Sequence, residues 1–507
     1  MSRPCALVLA LALTAGCAVK AAPAAPGATA QQARRNVDAL RDLRAQLSTV
    51  FNAPVTAHAT WGVEVRSLDR GDVLFSLNAG RLMMPASNMK ILTLAAAAEV
   101  LGWDHRFTTT LETAAPAEGG VLRGDLIVRG TGDPTISTRG KRADVVFDEW
   151  AAALRAAGIT SIEGRLVGDD QAFDDDGVGP GWSWDYLEAG YAAPVGALQY
   201  NENSADLTTA PGAAVGDPIL VKLAPGTGFT VTNRAVTTAP ATEGAGRGGI
   251  DIRRRIDRPE LEISGMLPIG APAATRVVAV LNPTQFFAQS VKDALAARGI
   301  RVSGAAVDID DLVPTLPGSS LERRTLVTTT SPPLREVATV LMKVSQNQYA
   351  ETLLKAIGAA GGGIGTTAGG RRRLQEIFAS WGIPADGYVV SDGSGLSRYN
   401  YVSPAAVNGL LARLHGDPRH RDAFVASLPV AGKDGTIASR MRRSRAEGNA
   451  VAKTGSIANT RALSGYVKTR TGETLAFSII ANDFVAPAAT VTWIADLAVE
   501  ILANFGG

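Results

Sequence analysis

Apolar side chains recur at Val37, Leu40, Leu43 and Leu47 within QQARRNVDALRDLRAQLSTVFN (residues 31–52). That three-and-four spacing predicts a helix with one buried face. TWGVEVRSLDRGDVLFSLNAG (60–80) follows as two alternating runs joined by Asp69-Arg70-Gly71-Asp72, the pattern of a hairpin. The next stretch, PASNMKILTLAAAAEVLG (85–102), is nearly uncharged, so the helix it predicts has no solvent face and belongs inside a core.

From residue 106 to 320 the texture changes to short β-type runs rich in Gly and Pro: GDLIVRGTGDPTIS, RLVGDDQAF, ADLTTAPG, LVKLAPGTGFTVTN, ELEISGMLP and TRVVAVLN. Two helical patterns interrupt them, DVVFDEWAAALRAAG and TQFFAQSVKDALAARG. Helical spacing returns in PLREVATVLMKVSQNQYAETLLKAIG and RRRLQEIFASWG. The chain closes as strand, strand, helix in NAVAKTGS, ALSGYVKTRTGETLAFSIIAND and TVTWIADLAVEILANF. Two similar ends around a different middle predict one α+β domain interrupted by a large, mostly β insertion. GAAGGGIGTTAGG (358–370) lacks the Lys and the preceding strand of a phosphate-binding loop and reads as a plain connection.

At 507 residues the chain is too long for one core and predicts two or three domains. A formal net charge of +2 gives no support to nucleic-acid binding, and four histidines leave little room for His-rich metal chemistry. Arg3 followed by the apolar run Ala6 to Ala15 fits a secretory signal and is too short to span a membrane. No later stretch is long and apolar enough to span one. Both cysteines, Cys5 and Cys17, fall in this leader, so no disulfide is expected in the mature domain. Thr14-Ala15-Gly16-Cys17 resembles a lipoprotein processing box, with ordinary cleavage further on as the other reading; either one exports the protein, with residues 18–30 as an Ala/Pro tether.

Three short patterns carry candidate chemistry. Ser87 and Lys90 lie three residues apart at the start of the uncharged helix. A serine in the first turn has its N–H outside the helix ladder and sits at the positive end of the dipole, where an oxyanion is stabilised. The lysine lies on the same face, and burial lowers an amine's pKa until it can accept the serine proton. The ordinary alternative is a capping serine and a solvated lysine. Ser345-Gln346-Asn347 offers a hydroxyl and an amide at a turn between two helical patterns. Lys453-Thr454-Gly455-Ser456 follows the start of a strand; Lys453 and Thr454 suit a carboxylate, and Gly455 lets another backbone approach. Each pattern alone has a bland structural reading.

Together, Ser-x-x-Lys, Ser-x-Asn and Lys-Thr-Gly occur in the order used by penicillin-binding proteins and serine β-lactamases, each in the matching context. The chain resembles the D-alanyl-D-alanine carboxypeptidase/endopeptidase family, the low-molecular-mass class C penicillin-binding proteins, from about residue 35 to its end. The resemblance also includes Arg129-Gly130-Thr131-Gly132-Asp133-Pro134, GPGWSWDYLEAGYAAPVGALQYNEN (179–203), Asp392-Gly393-Ser394-Gly395-Leu396-Ser397-Arg398 and GKDGTIASRM. Ser345 follows Ser87 by 258 residues, room for the two nested extra domains of this family.

The resemblance implies a penicillin-binding, transpeptidase-like catalytic domain, an antiparallel sheet flanked by helices, at 31–105 and 321–507. It places an inserted domain at 106–204 and 276–320, and a nested β domain at 205–275. It implies an acyl-enzyme on Ser87, with Lys90 as general base and Ser345 as proton relay to the leaving amine. Asn347 would hold the substrate amide and Lys90. Lys453 would lower the Lys90 pKa by like charge and bind the terminal carboxylate with Thr454. The N–H groups of Ser87 and Ser456 would form the oxyanion hole, and Gly455 and Ser456 would join Thr454 in binding the substrate. Arg398 and Asp169 would receive the carboxylate and ammonium of a stem-peptide side chain. The partners implied are peptidoglycan peptides and β-lactams, with no metal or organic cofactor.

The rivals are a β-lactamase or esterase of the same superfamily and a non-catalytic cell-wall binding protein. A Ser–His–Asp hydrolase finds no partner motif around His58, His105, His415 or His420, and a metal site on His415 and His420 is disfavoured.

Overall fold

The computed structural model describes residues 26–240, 249–312 and 322–506, with side chains from residue 37 onward. The expectations for the leader, including Cys17 and the export signal, lie outside the described residues. The first helix runs over Pro26–Phe51, five residues earlier than the pattern predicted. Proline is tolerated at a first helical position, and the Ala-rich segment after it favours a helix over a tether.

The architecture is α+β. Its central antiparallel sheet takes strands from both ends of the chain, in the order Val73–Leu77, Thr60–Ser67, Thr474–Asn482, Thr460–Lys468, Val451–Ile457. The period-two alternation of its strands serves two cores. Leu475, Phe477, Ile479 and Ala481 face a cluster with Leu43, Leu47 and Phe51 of the first helix and Val499 and Leu502 of the last, Ala488–Asn504. Ala476 and Ile480 face the opposite cluster, built by Met89–Leu101, Leu334–Lys343, Asn347–Ala359, Thr367–Ser380 and Pro404–Gly416. Residues 89–98 of the uncharged helix are all buried, as its composition required. The Gly-rich stretch is largely a connection, with Thr367–Gly370 already helical.

The chain leaves this core after Met89–Leu101 and returns before Leu334–Lys343 at a narrow neck. There Leu334 donates to the His105 carbonyl at 2.9 Å, Ser331 to Phe107 at 2.9 Å and Arg335 to Trp103 at 3.1 Å. Beyond the neck is a mixed five-stranded sheet in the order Ala306–Asp308, Leu166–Asp169, Leu126–Gly130, Thr108–Thr113, Arg324–Thr330. Its first three strands are parallel, and helices Arg142–Ala156 and Pro283–Ala297 pack on its core around Trp150 and Phe287. Further out, residues 204–240 and 249–279 form two small sheets with a separate core around Leu207, Leu261 and Ile263.

Two loops run from this excursion back onto the core. Asp174 donates its N–H to the Gly365 carbonyl, Gly365 donates to the Ala172 carbonyl, and the Lys355 ammonium donates to the Asp174 carbonyl at 2.9 Å and to its carboxylate at 2.5 Å. Segment 179–192 lies over the DGSGLSR loop, where Trp182 Nε1 donates to Asp392 Oδ2 at 2.8 Å and Ser397 Oγ to the Pro180 carbonyl at 2.6 Å.

Candidate active site

The three sequence patterns converge. Ser87 sits in a short 3-10 turn, Ala86–Asn88, that leads into Met89–Leu101. Ala86 has φ +46°, a left-handed conformation costly for a non-glycine residue, and two glycines clamp the turn that holds it. A Cβ on Gly455 would stand 2.4 Å from the Pro85 carbonyl oxygen, so the edge strand Val451–Ile457 runs against the turn. On the other side a Cβ on Gly395, itself at φ +86°, would stand 1.8 Å from the Ala86 carbonyl oxygen. A Gly395→Ala variant is therefore expected to lose about 2–4 kcal/mol of stability and to displace the nucleophile turn. Thermal melting and β-lactam labelling of the same sample check both effects.

Lys90 is fully buried, and its Nζ has three neighbours: Ser87 Oγ at 2.9 Å, Asn347 Oδ1 at 2.6 Å and the Ser394 carbonyl oxygen at 2.7 Å. The last two are pure acceptors. A neutral amine satisfies them with its two N–H bonds and is left with one lone pair, aimed at the Ser87 hydroxyl. Burial lowers the Lys90 pKa from 10.5 to about 7, against the opposing pull of Asp392 and Glu351.

Ser345 and Asn347 flank the junction of Leu334–Lys343 and Asn347–Ala359, and Ser345 is held at φ +62°. Lys453 is fully buried on the edge strand and donates to Ser345 Oγ at 2.8 Å and to the Thr454 carbonyl at 2.7 Å. Its pKa lies well below the usual amine value because of burial first and the Lys90 charge second. Desolvation is the larger cause for both amines, and the repulsion between the two buried lysines acts in the same direction.

Thr454 donates its hydroxyl to Thr436 Oγ1 at 2.8 Å, and Ser456 is exposed beside it. Arg398 is half-buried at the end of the edge strand, its Nη2 3.5 Å from the Ala458 carbonyl. Asp169 is not brought to this cluster as a free group. It is 3% exposed and paired with Arg323 at 2.6 Å, so its carboxylate already has a cation. Its acidic neighbours are also engaged, Asp170 by the Thr284 hydroxyl and Asp174 by Lys355.

No histidine contacts Ser87 or Lys90. His420 is buried between Trp103 Nε1 at 3.2 Å and Glu99 at 2.8 Å, and His415 packs on Tyr466 with ring centroids 5.6 Å apart. Sequence reasoning missed the supporting groups Glu351, Asp392, Thr436 and the Tyr191 carbonyl, which accepts from Asn347 Nδ2 at 2.8 Å. The i, i+4 spacing of Asn347 and Glu351 was the available signal for the first of them.

The family model described as D-Ala-D-Ala carboxypeptidase 3 (S13) matches residues 43–504. A D-alanyl-D-alanine carboxypeptidase of Actinomadura sp. (strain R39) is 34% identical over 462 residues, which cover 89% of this chain and 82% of that one. The D-alanyl-D-alanine carboxypeptidase DacB of Haemophilus influenzae is 27% identical over 437 residues, 83% of this chain and 85% of that one. The fold matches the crystal structure of penicillin binding protein 4 (dacB) from H. influenzae with a TM-score of 0.77 at 24% identity, covering 90% of this chain and 99% of that one.

Proposed function

The chain belongs to the D-Ala-D-Ala carboxypeptidase 3 (S13) family, and on that footing we propose that it is a serine D-Ala-D-Ala carboxypeptidase/endopeptidase of peptidoglycan stem peptides that works through an acyl-enzyme on Ser87. The observation that carries the site assignment is the buried Lys90 amine, shared among Ser87, Asn347 and Ser394.

Ser87 Oγ attacks the carbonyl carbon between the two D-alanines as its proton passes to Lys90 Nζ. The developing oxyanion is received by the N–H groups of Ser87 and Ser456, which the close approach at Gly455 supports. The C–N bond then breaks. The leaving amine takes a proton from Ser345 Oγ, which Lys453 and Lys90 can resupply. Asn347 orients Lys90 and the substrate amide; Lys453, Thr454 and Thr436 present a cation and two hydroxyls to the terminal carboxylate. Arg398 at the strand end suits a carboxylate on the stem-peptide side chain. Water hydrolyses the ester and frees Ser87. A β-lactam enters the same cycle and stops at the ester; an H. influenzae penicillin binding protein 4 structure carries a bound β-lactam.

Among the described residues no helix is long and apolar enough to cross a membrane. Export through the residue 1–30 leader, with lipidation at Cys17 or ordinary cleavage further on, belongs to this proposal, since the substrate is a cell-wall peptide. So does the division of the chain into a catalytic part (31–105 and 321–507), an inserted part (106–204 and 276–320) and a nested part (205–275). The separate apolar clusters support it, and the pairing of Arg324–Thr330 with Thr108–Thr113 moves the second crossing to about residue 331.

Mass spectrometry of the protein incubated with penicillin tests the assignment. One slowly hydrolysed adduct on the peptide containing Ser87 is expected. Rapid turnover without accumulation would favour the β-lactamase alternative, and no adduct at all would favour the non-catalytic binder.

A further inference from the structure

Glu351 is a buried carboxylate that none of the steps above uses. It lies one helical turn after Asn347 on the same helix and is 5% exposed. Its Oε2 accepts from the Gly393 N–H at 2.9 Å and its Oε1 from the Ser394 N–H at 2.7 Å. The carbonyls of the same two residues face the nucleophile helix: Gly393 accepts from Thr93 Oγ1 at 2.7 Å and Ser394 from Lys90 Nζ at 2.7 Å. The turn lies tight on the helix, because a Cβ on Gly393 would stand 2.6 Å from the Ala350 carbonyl oxygen. Both acceptors that orient the Lys90 amine therefore trace to one element. Asn347 is carried by this helix directly, and the Ser394 carbonyl is held to it through Glu351.

We propose that Glu351 is a positioning residue for acylation: by gripping two adjacent amides of the 393–394 turn, its carboxylate fixes the Ser394 carbonyl that takes one N–H of Lys90, and so aims the amine's lone pair at Ser87. The proposal rests on Lys90 being the base for Ser87. Only a carboxylate does this job fully. It accepts at both oxygens, whereas glutamine would present an NH2 group to one of the two N–H donors. A buried charge is otherwise expensive, and here two backbone N–H groups satisfy it and the buried Lys90 amine lies in its field.

The charged groups around Glu351 are Asp392 on the gripped turn and Lys90 on the nucleophile helix. Lys355, one turn further along its own helix, is turned onto Asp174. Asp392 is engaged separately, accepting from Gly395 N, Ser397 N, Asn400 Nδ2 and Trp182 Nε1. Burial, and Asp392 after it, push the Glu351 pKa up to about 7, so acid weakens the grip in the same range in which Lys90 gains its proton.

The test measures the rate of acylation by a chromogenic penicillin against pH for the wild type, E351Q and E351D, with adduct mass and melting temperature on the same samples. E351Q is expected to label fully on Ser87 but about 10–100-fold more slowly, the cost of misplacing a reacting group by about 1 Å. Its acid limb moves to lower pH, because one titrating group is gone and Lys90 has lost an anion that favoured its charged form. E351D keeps the charge on a shorter arm; it is slowed while its acid limb stays near the wild-type position. A purely structural role predicts a lower melting temperature with the folded fraction acylating at the wild-type rate on an unchanged limb, and that result overturns the proposal. If E351Q cannot be recovered folded, E351D decides, and wild-type speed there overturns it equally. Absence of wild-type labelling at Ser87 would instead strike at the catalytic assignment.

Discussion

Ser87→Ala is expected to abolish covalent capture of a fluorescent penicillin while leaving the protein folded. The hydroxyl is the one atom that forms the ester, and it lies half-buried at the strained turn where substrate can reach it. Its recorded partner is the Lys90 amine, which keeps Asn347 Oδ1 and the Ser394 carbonyl after the hydroxyl is gone. Loss of a single polar contact on a half-buried side chain costs about 1 kcal/mol. The melting temperature should therefore move by a few degrees at most while labelling falls to background. Gel fluorescence and intact mass on the same preparation read both quantities. Labelling that persists on another residue would refute the assignment of the nucleophile.

The second large effect is expected at Lys90. Lys90→Met keeps the length and apolar bulk of the stem but has no proton acceptor of comparable basicity. Non-covalent binding of a β-lactam should survive, and the acylation rate should fall about 10²–10⁴-fold, the usual contribution of a positioned general base. The pH profile carries a separate signature. Burial brings the amine from 10.5 to about 7, so it is neutral and active above that pH and protonated and inactive below it. Wild-type acylation should rise through pH 7, and that limb should vanish in Lys90→Met. Stability follows with a defined sign. Between about 7 and 10.5 the unfolded chain binds the proton that the folded chain has released, so the Lys90 contribution to stability rises with pH across that window. Denaturant melts at pH 7 and pH 10 should show a steeper rise for the wild type than for the variant. Near-normal acylation by Lys90→Met would show that another group is the base.

The residues proposed to be catalytic were legible because each sits in a local pattern with its own physical signature. Lys90 is followed by a run of aliphatic residues, which announced a buried amine, and Gly455 interrupts a strand where another backbone must pass. Their supports were not legible in the same way. Glu351 reads as one more charged residue on an amphipathic helix until the 393–394 turn, some 42 residues on, is seen lying on it. Asp169 reads as an available acid until Arg323, 154 residues later, is found against it. The sequence of the excursion advertised short strands but not that Leu126–Gly130, Leu166–Asp169 and Ala306–Asp308 run parallel, since parallel pairing is set by long-range crossovers through the helices. Two lysines in one site pointed to a depressed amine, and the acids Asp392 and Glu351 that oppose the depression were not legible as its neighbours.

The neck where residues 103–107 meet 331–335 has a consequence for how such a molecule can arise. Because the outgoing and returning segments of the backbone are already hydrogen-bonded to each other, the chain between them enters and leaves the core at one place, and its other contacts with the core are made by two loops that dock beside the site. The entropy of closing a loop grows only with the logarithm of its length, so exchanging a short connection for an excursion of some two hundred residues costs the host little in chain entropy as long as the neck contacts are kept. A genetic insertion at this point would preserve the reading of both flanking helices, and later changes in the added lobe could reshape which cell-wall fragments reach the serine without disturbing the chemistry beneath.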